Sequence, residues 1–559
     1  MSILVFLLVL SVIVGIHELG HFLAAKACGI YVDRFSIGMP PRIAGFKWGE
    51  TDYCIGALPI GGYVKMAGQE DSPLSEEERQ RDYGGVPPER WFNNKPVWQR
   101  SFVLIAGPAM NVVLAVVLYA TLAALGSQVP ESELTARIGK IESGSPAQTA
   151  PLFLYEPGKE PLGEPVATGW QTGDLILSIN GNAVENIPDL AIAAILGGAD
   201  QPHDIVIDRP NPDGTATRYV SRVTPKLLPD EEYPRFGVAP FDTPEVQEVL
   251  PGMPAATAGL QKGDLIRRAD GKMVDSVTFV ETVEKTPQGA SLDLEVERDG
   301  QPMRLTLTPE TNGRLKGVML PLEAKEGEEQ PEPIVLAVTK EYKETAKLQR
   351  KDKIVEVNGQ PATVALINQL AKESPDGKLE VQVERPAVLF GLIQKAETLS
   401  LSLPVESVRA IGTAHRARTI FHRVPPGQIL PTAFRQSYKA IEQTVQTIGA
   451  LIRRDVSPKD LGGPVMIFEL TARAAEAGWA WLLKISAFIS INLAVFNLLP
   501  LPVLDGGQLV INGIEAIRRK PMNPVFLERF QQVGLVFIIC LMLFVTWNDV
   551  GRWITDRTP

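Results

Sequence analysis

The sequence predicts a multi-pass α-helical membrane protein: four transmembrane helices, a membrane-associated β element between the first two, and three tandem α+β domains in an exterior loop. Three features carry that expectation. Long apolar runs sit at the two ends of the 559-residue chain, and the middle reads as soluble. A glycine-rich stretch with alternating apolar residues follows the first run. A motif in the middle recurs at Trp170, Leu260 and Leu348, a period of about 90 residues.

Residues 1–27 form the first expected span. As one helix they cover about 40 Å at ~1.5 Å per residue, enough to cross a bilayer. A signal peptide would carry a basic n-region and a cleavage pattern, and this run has neither. His17 and Glu18 follow Ile16 directly, and apolar residues resume through Ala27. The second span is expected over 101–126, interrupted by Gly107, Pro108 and Asn111, the third over 479–507 and the fourth over 531–550. One such run alone would fit a buried core helix; four clustered at the chain ends fit spans better. Lys26, Arg34, Arg42, Lys47, Lys65, Lys95 and Arg100 lie between the first two, and Arg518, Arg519, Lys520 and Arg529 between the last two. Those loops are expected in the cytoplasm, with both termini and the soluble middle outside. A net charge of −10 without a basic stripe argues against a nucleic-acid binder. Cys28, Cys54 and Cys540 form no Cys-x-x-Cys pair, so cysteine-based zinc binding is not expected. None of them falls in the soluble middle, which must fold without disulfides.

Within the cytoplasmic-side loop 28–100, Gly38, Gly45, Gly49, Gly56, Gly61 and Gly62 are set among alternating apolar residues. Open strands cannot face lipid, so this segment is expected to pack as a small β element against the helices. In the middle, Trp170-Gln-Thr-Gly-Asp-Leu-Ile returns as Leu260-Gln-Lys-Gly-Asp-Leu-Ile and as Leu348-Gln-Arg-Lys-Asp-Lys-Ile. A helix and alternating strands follow each copy, which resembles a PDZ domain. The three units are expected over 135–226, 235–322 and 334–405, with acidic, Pro-rich linkers at Leu228–Pro234 and Glu323–Pro333. The third is degenerate: it lacks the Pro-Ala lead-in, and Lys351 stands where the others have glycine. It is expected to be a spacer. Residues 431–454 read as an amphipathic helix on the membrane surface or against its neighbours, before a break at Gly462-Gly463-Pro464.

His17-Glu18-Leu19-Gly20-His21 carries the chemistry. Residues four apart share one face of a helix, so His17 and His21 can offer two imidazoles to one metal, with Glu18 beside them as a base. A glutamate flanked by histidines inside an apolar helix is costly unless it has a task. A catalytic zinc takes three protein ligands and keeps one open position. Asp505 is the candidate third ligand, an acid at membrane depth in Asn497-Leu-Leu-Pro-Leu-Pro-Val-Leu-Asp-Gly-Gly507. Pro500 and Pro502 forbid regular helix there, and Gly506 and Gly507 are expected to permit unusual backbone geometry just after the acid.

These motifs, with Ala106-Gly-Pro-Ala-Met-Asn111, Gly463-Pro464 and the tandem repeats, make the chain resemble the site-2 protease family, in its RseP-type bacterial branch with PDZ domains. The resemblance implies an intramembrane zinc metalloprotease in which His17, His21 and Asp505 hold Zn2+ and Glu18 is the base. It implies that Asn492 and Asn497 engage the substrate backbone. Pro500, Pro502 and the β segment around Gly61, Gly62 and Tyr63 are the other expected substrate contacts, the β segment pairing with an unwound peptide as an added strand. The implied setting is the bacterial inner membrane, with the repeats on the periplasmic side. The implied substrates are single-pass anti-sigma factors or signal-peptide remnants, trimmed first by a site-1-type protease. Relatives of this type carry two PDZ units, so the third is a departure. The alternative reading is a non-catalytic PDZ-bearing membrane adaptor, which would not need the four polar residues; bound zinc separates the two.

Overall fold

The computed structural model describes residues 2–69, 85–157, 164–197, 201–211, 213–228, 233–321, 331–338, 347–374, 377–386, 397–453 and 462–555. The chain divides into two compact units, residues 1–127 with 421–554 and residues 128–420 with 555–559.

The first unit holds four helices long and apolar enough to cross a membrane: Ile3–Ala27, Val97–Leu125, Trp479–Asn497 and Val525–Asp549. The last belongs to a longer helix, Pro524–Thr555. It starts earlier than the pattern at 531 suggests because Pro524 suits a first helical position and the Asn523 side chain accepts from Val525 N–H at 2.9 Å. Helix Ile429–Arg453 packs against the second and third apolar helices through the small buried residues Ala433, Ser437, Ala440 and Thr444. Small side chains let the helix axes approach closely. Its large apolar residues Leu430, Phe434 and Tyr438 remain exposed. The expected break at Gly463-Pro464 starts helix Pro464–Ala477. The buried Asp549 carboxylate accepts from Gly463 N–H at 3.1 Å and Met466 N–H at 3.0 Å, satisfying amides at that N-terminus.

The β element is two long antiparallel strands, Val32–Trp48 and Thr51–Met66, curled on themselves. Residues 34–37 pair with 62–65 on one side and with 52–55 on the other, which leaves 62–66 as an edge. Glu50, in the turn, takes Lys26 at 2.6 Å and Arg90 at 2.7 Å. Those cations hold its carboxyl down to about 2 and tie the turn to the end of the first helix.

In the second unit the repeated motif has a structural job. Asp174, Asp264 and Asp352 are buried, and each accepts the backbone N–H of the glutamine three residues before it. Each also pairs with an arginine from the following hairpin: Arg209 at 2.8 Å, Arg298 at 2.7 Å and Arg385 at 2.9 Å. That arginine reaches on to a backbone carbonyl ahead of the turn, of Gly169, Gly259 or Lys347. The recurrent Gln-x-x-Asp is therefore a pinned turn.

The strand pairing runs past the limits expected at 226, 322 and 405. In the first repeat the closing strand Val238–Pro240 returns to that repeat's own first strand, Ile138–Ile141. The other two exchange theirs. Glu310–Leu315 and Val318–Met319 follow the second repeat in sequence, but they pair with Glu397–Ala410 and Ala337–Val338 of the third. Thr413–Ala417 follows the third repeat, but it pairs with Pro244–Val249, the first strand of the second. Side-chain packing agrees: Ile411 lies in the second repeat's core, and Leu315 and Val318 lie in the third's. So does hydrogen bonding, because Ala147 N–H donates to Phe236 O in the first repeat as Ala255 N–H donates to Ile411 O in the second, both at 2.9 Å. Glu310 pairs with Ala410, so the third repeat enters and leaves the second at one place.

Candidate metal centre

His17 and His21 lie one turn apart on the first helix, both buried. Their Nε2 atoms are 3.1 Å apart. Asp505 Oδ2 completes a triangle, 3.3 Å from His17 Nε2 and 3.4 Å from His21 Nε2. Among the described residues these three side chains form the one group able to converge on a metal ion. Donors about 2.0–2.1 Å from a shared ion at the corners of a tetrahedron lie roughly 3.3 Å apart. The triangle matches one face of such a tetrahedron, with the fourth corner left for water or substrate.

Local sequence explains how the three meet. A Cβ on Gly20 would overlap the backbone of Ala106, and a Cβ on Gly107 would overlap the His21 ring, so glycine at both positions lets the first two helices close on the site. The third apolar helix ends at Asn497 and a new helix begins at Asp505, as the two prolines between them require. The left-handed residue in this loop is Val503, at φ +76°. Gly506 and Gly507 are helical instead, and a Cβ on either would overlap the backbone of Leu498–Leu501. The unusual backbone geometry expected of them falls on Val503 instead, and their own part is close packing. Such strain at a β-branched residue collects at functional sites. Arg100 bonds Glu515 at 2.7 Å and fixes the far end of helix Asp505–Arg518 to the second helix.

His21 Nδ1 lies 2.8 Å from Val103 O. A carbonyl only accepts, so Nδ1 carries the proton, and in the neutral ring Nε2 keeps a bare lone pair for a cation. His17 Nδ1 faces Asn111 Nδ2 at 3.2 Å, and its Nε2 faces Asn497 Nδ2 at 3.3 Å. Glu18 and Val64 share a backbone hydrogen bond, so the acid sits against the β edge. A cavity of about 260 Å³ opens here, lined by His17, Glu18, His21, Tyr63, Val64, Asn497 and Asp505 among others.

The other expected contacts divide. Tyr63 and Asn497 line the cavity. Gly62 lies beside Glu18, where a Cβ would come 3.2 Å from Glu18 Cγ, and Gly61 faces Met39. Pro502 packs where a Cβ on Gly534 would overlap it, and Pro500 is exposed. Asn492 is turned toward Ile429–Arg453, where Thr444 Oγ1 donates to its Oδ1 at 2.7 Å. Asn111, named in the sequence as part of a motif but given no place at the site, stands beside His17. It lies on the stripe Val103, Gly107, Asn111, Ala115, Tyr119, buried at every fourth position of the second helix, and this spacing is visible in the sequence.

The sequence profile of peptidase family M50 matches residues 5–541. The chain belongs to peptidase family M50. It is a membrane-embedded zinc metallopeptidase of the site-2 type. It is 29% identical over 563 residues to the Regulator of sigma-E protease RseP of Escherichia coli (strain K12), covering 98% of each chain. It is 27% identical over 559 residues to the putative zinc metalloprotease NMA0084 of Neisseria meningitidis serogroup A, covering 99% of each. His17, His21 and Asp505 thus bring three donor atoms together, and Glu18 lines the same cavity beside them.

Proposed function

We propose that this M50 peptidase hydrolyses peptide bonds within transmembrane segments of other membrane proteins. The observation that carries this reading is the convergence of His17, His21 and Asp505 beside Glu18 and an open β edge, within the unit that holds the apolar helices. Zinc held by the three side chains supplies a Lewis acid that makes water acidic near neutral pH and polarises the scissile carbonyl. The chain's own groups do the rest. The Glu18 carboxylate accepts the water proton and returns it to the leaving amine. A substrate helix hides its carbonyls in hydrogen bonds and must unwind first. The edge at residues 62–66 offers it backbone partners as an added strand. Asn497 Nδ2 lies close enough to the metal ligands to donate to the freed backbone. The Asp505 end is held in register by the packed Gly506 and Gly507.

We place the protein in the bacterial inner membrane, with PDZ-like repeats outside that admit trimmed substrates such as cut anti-sigma factors or signal-peptide remnants. The test uses Glu18→Gln. It is expected to retain zinc and to lose cleavage of a reconstituted membrane substrate by a factor of ~10²–10⁴ or more, the range typical of general-base removal. Substantial residual proteolysis would take Glu18 out of that role. Absence of zinc from the wild-type protein would favour the adaptor reading.

A further inference from the structure

The two histidines differ at the ring nitrogen that points away from the triangle. His21 Nδ1 meets a carbonyl, which holds its proton there. His17 Nδ1 meets the amide of Asn111, whose two ends have opposite character. As it stands, Asn111 Nδ2 faces His17 Nδ1 at 3.2 Å. That contact makes Nδ1 the acceptor and leaves the neutral ring's proton on Nε2. His17 Nε2 then has an acceptor within reach, Asp505 Oδ2 at 3.3 Å, while Asn497 Nδ2, 3.3 Å from the same nitrogen, finds no lone pair there. In this tautomer His17 has no lone pair for a cation.

Resting on the metal site proposed above, we infer that Asn111 sets the tautomer of His17. In the zinc-loaded protein its amide is turned over, so that Oδ1 accepts from His17 Nδ1–H and Nε2 is bare. Two observations carry this. Asn111 Oδ1 is buried and has no hydrogen-bond partner among the described residues, so turning the amide breaks nothing at its far end. Asn111 is fully buried, and its backbone is pinned from the third apolar helix, where Ser490 Oγ donates to Asn111 O at 2.9 Å. The amide can therefore rotate in place while its distance to the ring is kept. Amide oxygen and nitrogen are nearly the same size, so the turn needs no new space. Asn111 is thus a positioning residue acting through His17.

The test is zinc affinity of the full-length protein, measured by competition with a chelator. Asn111→Leu keeps the bulk and removes the acceptor, and it is expected to weaken zinc binding 10–100-fold, as loss of a ligand's outer partner does. Asn111→Asp offers only acceptors, and it is expected to bind zinc at least as tightly as the wild type. The visible spectrum of the cobalt(II)-loaded protein should shift in Asn111→Leu and stay close to wild type in Asn111→Asp, which a purely space-filling role would not produce. Equal zinc affinity in Asn111→Leu and wild type overturns the inference. If Asn111→Leu does not fold, Asn111→Asp decides alone: weaker zinc binding than wild type overturns it. A wild-type protein that takes up no zinc overturns this inference together with the proposed function. Wild-type binding with an indifferent Asn111 overturns the inference only.

Discussion

Asp505 in the membrane unit and Asp174, Asp264 and Asp352 in the repeat unit are all acids withdrawn from water, yet their surroundings are opposite in kind. Each repeat aspartate is paired with an arginine and a backbone amide. Its charge is answered by a permanent cation on the chain, and no room remains for another. Asp505 faces two imidazole nitrogens and no arginine. Neither histidine is a permanent cation, so the chain gives its charge no fixed partner there. A buried acid already neutralised is a fastener, whereas one held among lone pairs is a place for a cation. The repeat aspartates recur with the motif and so look the more conspicuous in sequence, but it is the solitary one that meets the two histidines.

The comparison breaks most directly at the metal. Asp505→Ala removes one of three ligands and is expected to abolish cleavage and to lower zinc content sharply. Elemental analysis of the purified variant checks this. Full zinc occupancy there would mean that the third ligand lies elsewhere and that Asp505 is a fastener after all.

The matched change in the other region is Asp264→Ala. It strands Arg298 and leaves the Gln261 amide without its acceptor. Breaking a buried pair from one side typically costs 3–5 kcal/mol. Arg298 is partly exposed and can turn to water, so about 3 kcal/mol is expected. Denaturant titration, with proteolysis at the repeats as the readout, should show the loss while zinc content stays at the wild-type level. A fall in zinc instead would show that the two kinds of buried acid are not separable.

What could be read from the sequence follows the range of the interactions. His17, Glu18 and His21 needed only helix geometry, and Asp505 needed only the cost of an acid at membrane depth. The β element and the four apolar helices rest on local periodicity and length. Asn492 was expected at the site and Asn111 was not, because both are amides in apolar helices and only the rotation of each helix separates them. The buried stripe of the third helix runs through Ser486, Ala487, Ser490, Ile491 and Ala494, and Asn492 lies off it. The exchange of closing strands was out of reach for another reason. Thr413–Ala417 is short, has no apolar alternation, and finds its partner in Pro244–Val249, on the far side of the whole third repeat. The recurring motif marks the pinned turn, which is local, whereas the exchanged closing strands pair across repeats.

The smallest expected effect tests how that exchange joins two repeats that look separate in sequence. The turn before the buried acid takes a left-handed residue in every copy: Gly173 at φ +97°, Gly263 at +91° and Lys351 at +77°. The third repeat has kept the backbone shape and lost the residue that adopts it without strain. A side chain in that region costs roughly 1–2 kcal/mol, and glycine returns part of this through its freer unfolded state. Lys351→Gly should therefore stabilise the third repeat by about 1 kcal/mol or somewhat less, and Lys351→Ala should leave it nearly unchanged, since alanine meets the same strain. Hydrogen exchange gives the spatial readout. Val318–Met319 closes the third repeat and Thr413–Ala417 closes the second, so neither can open fully without releasing a strand of the other. Slower exchange after Lys351→Gly should then appear in Leu265–Ala269 and Leu292–Arg298 of the second repeat as well as in the third. The first repeat closes on its own Val238–Pro240 and should not change. Protection confined to the third repeat would mean that the exchanged strands pair without coupling the two folds.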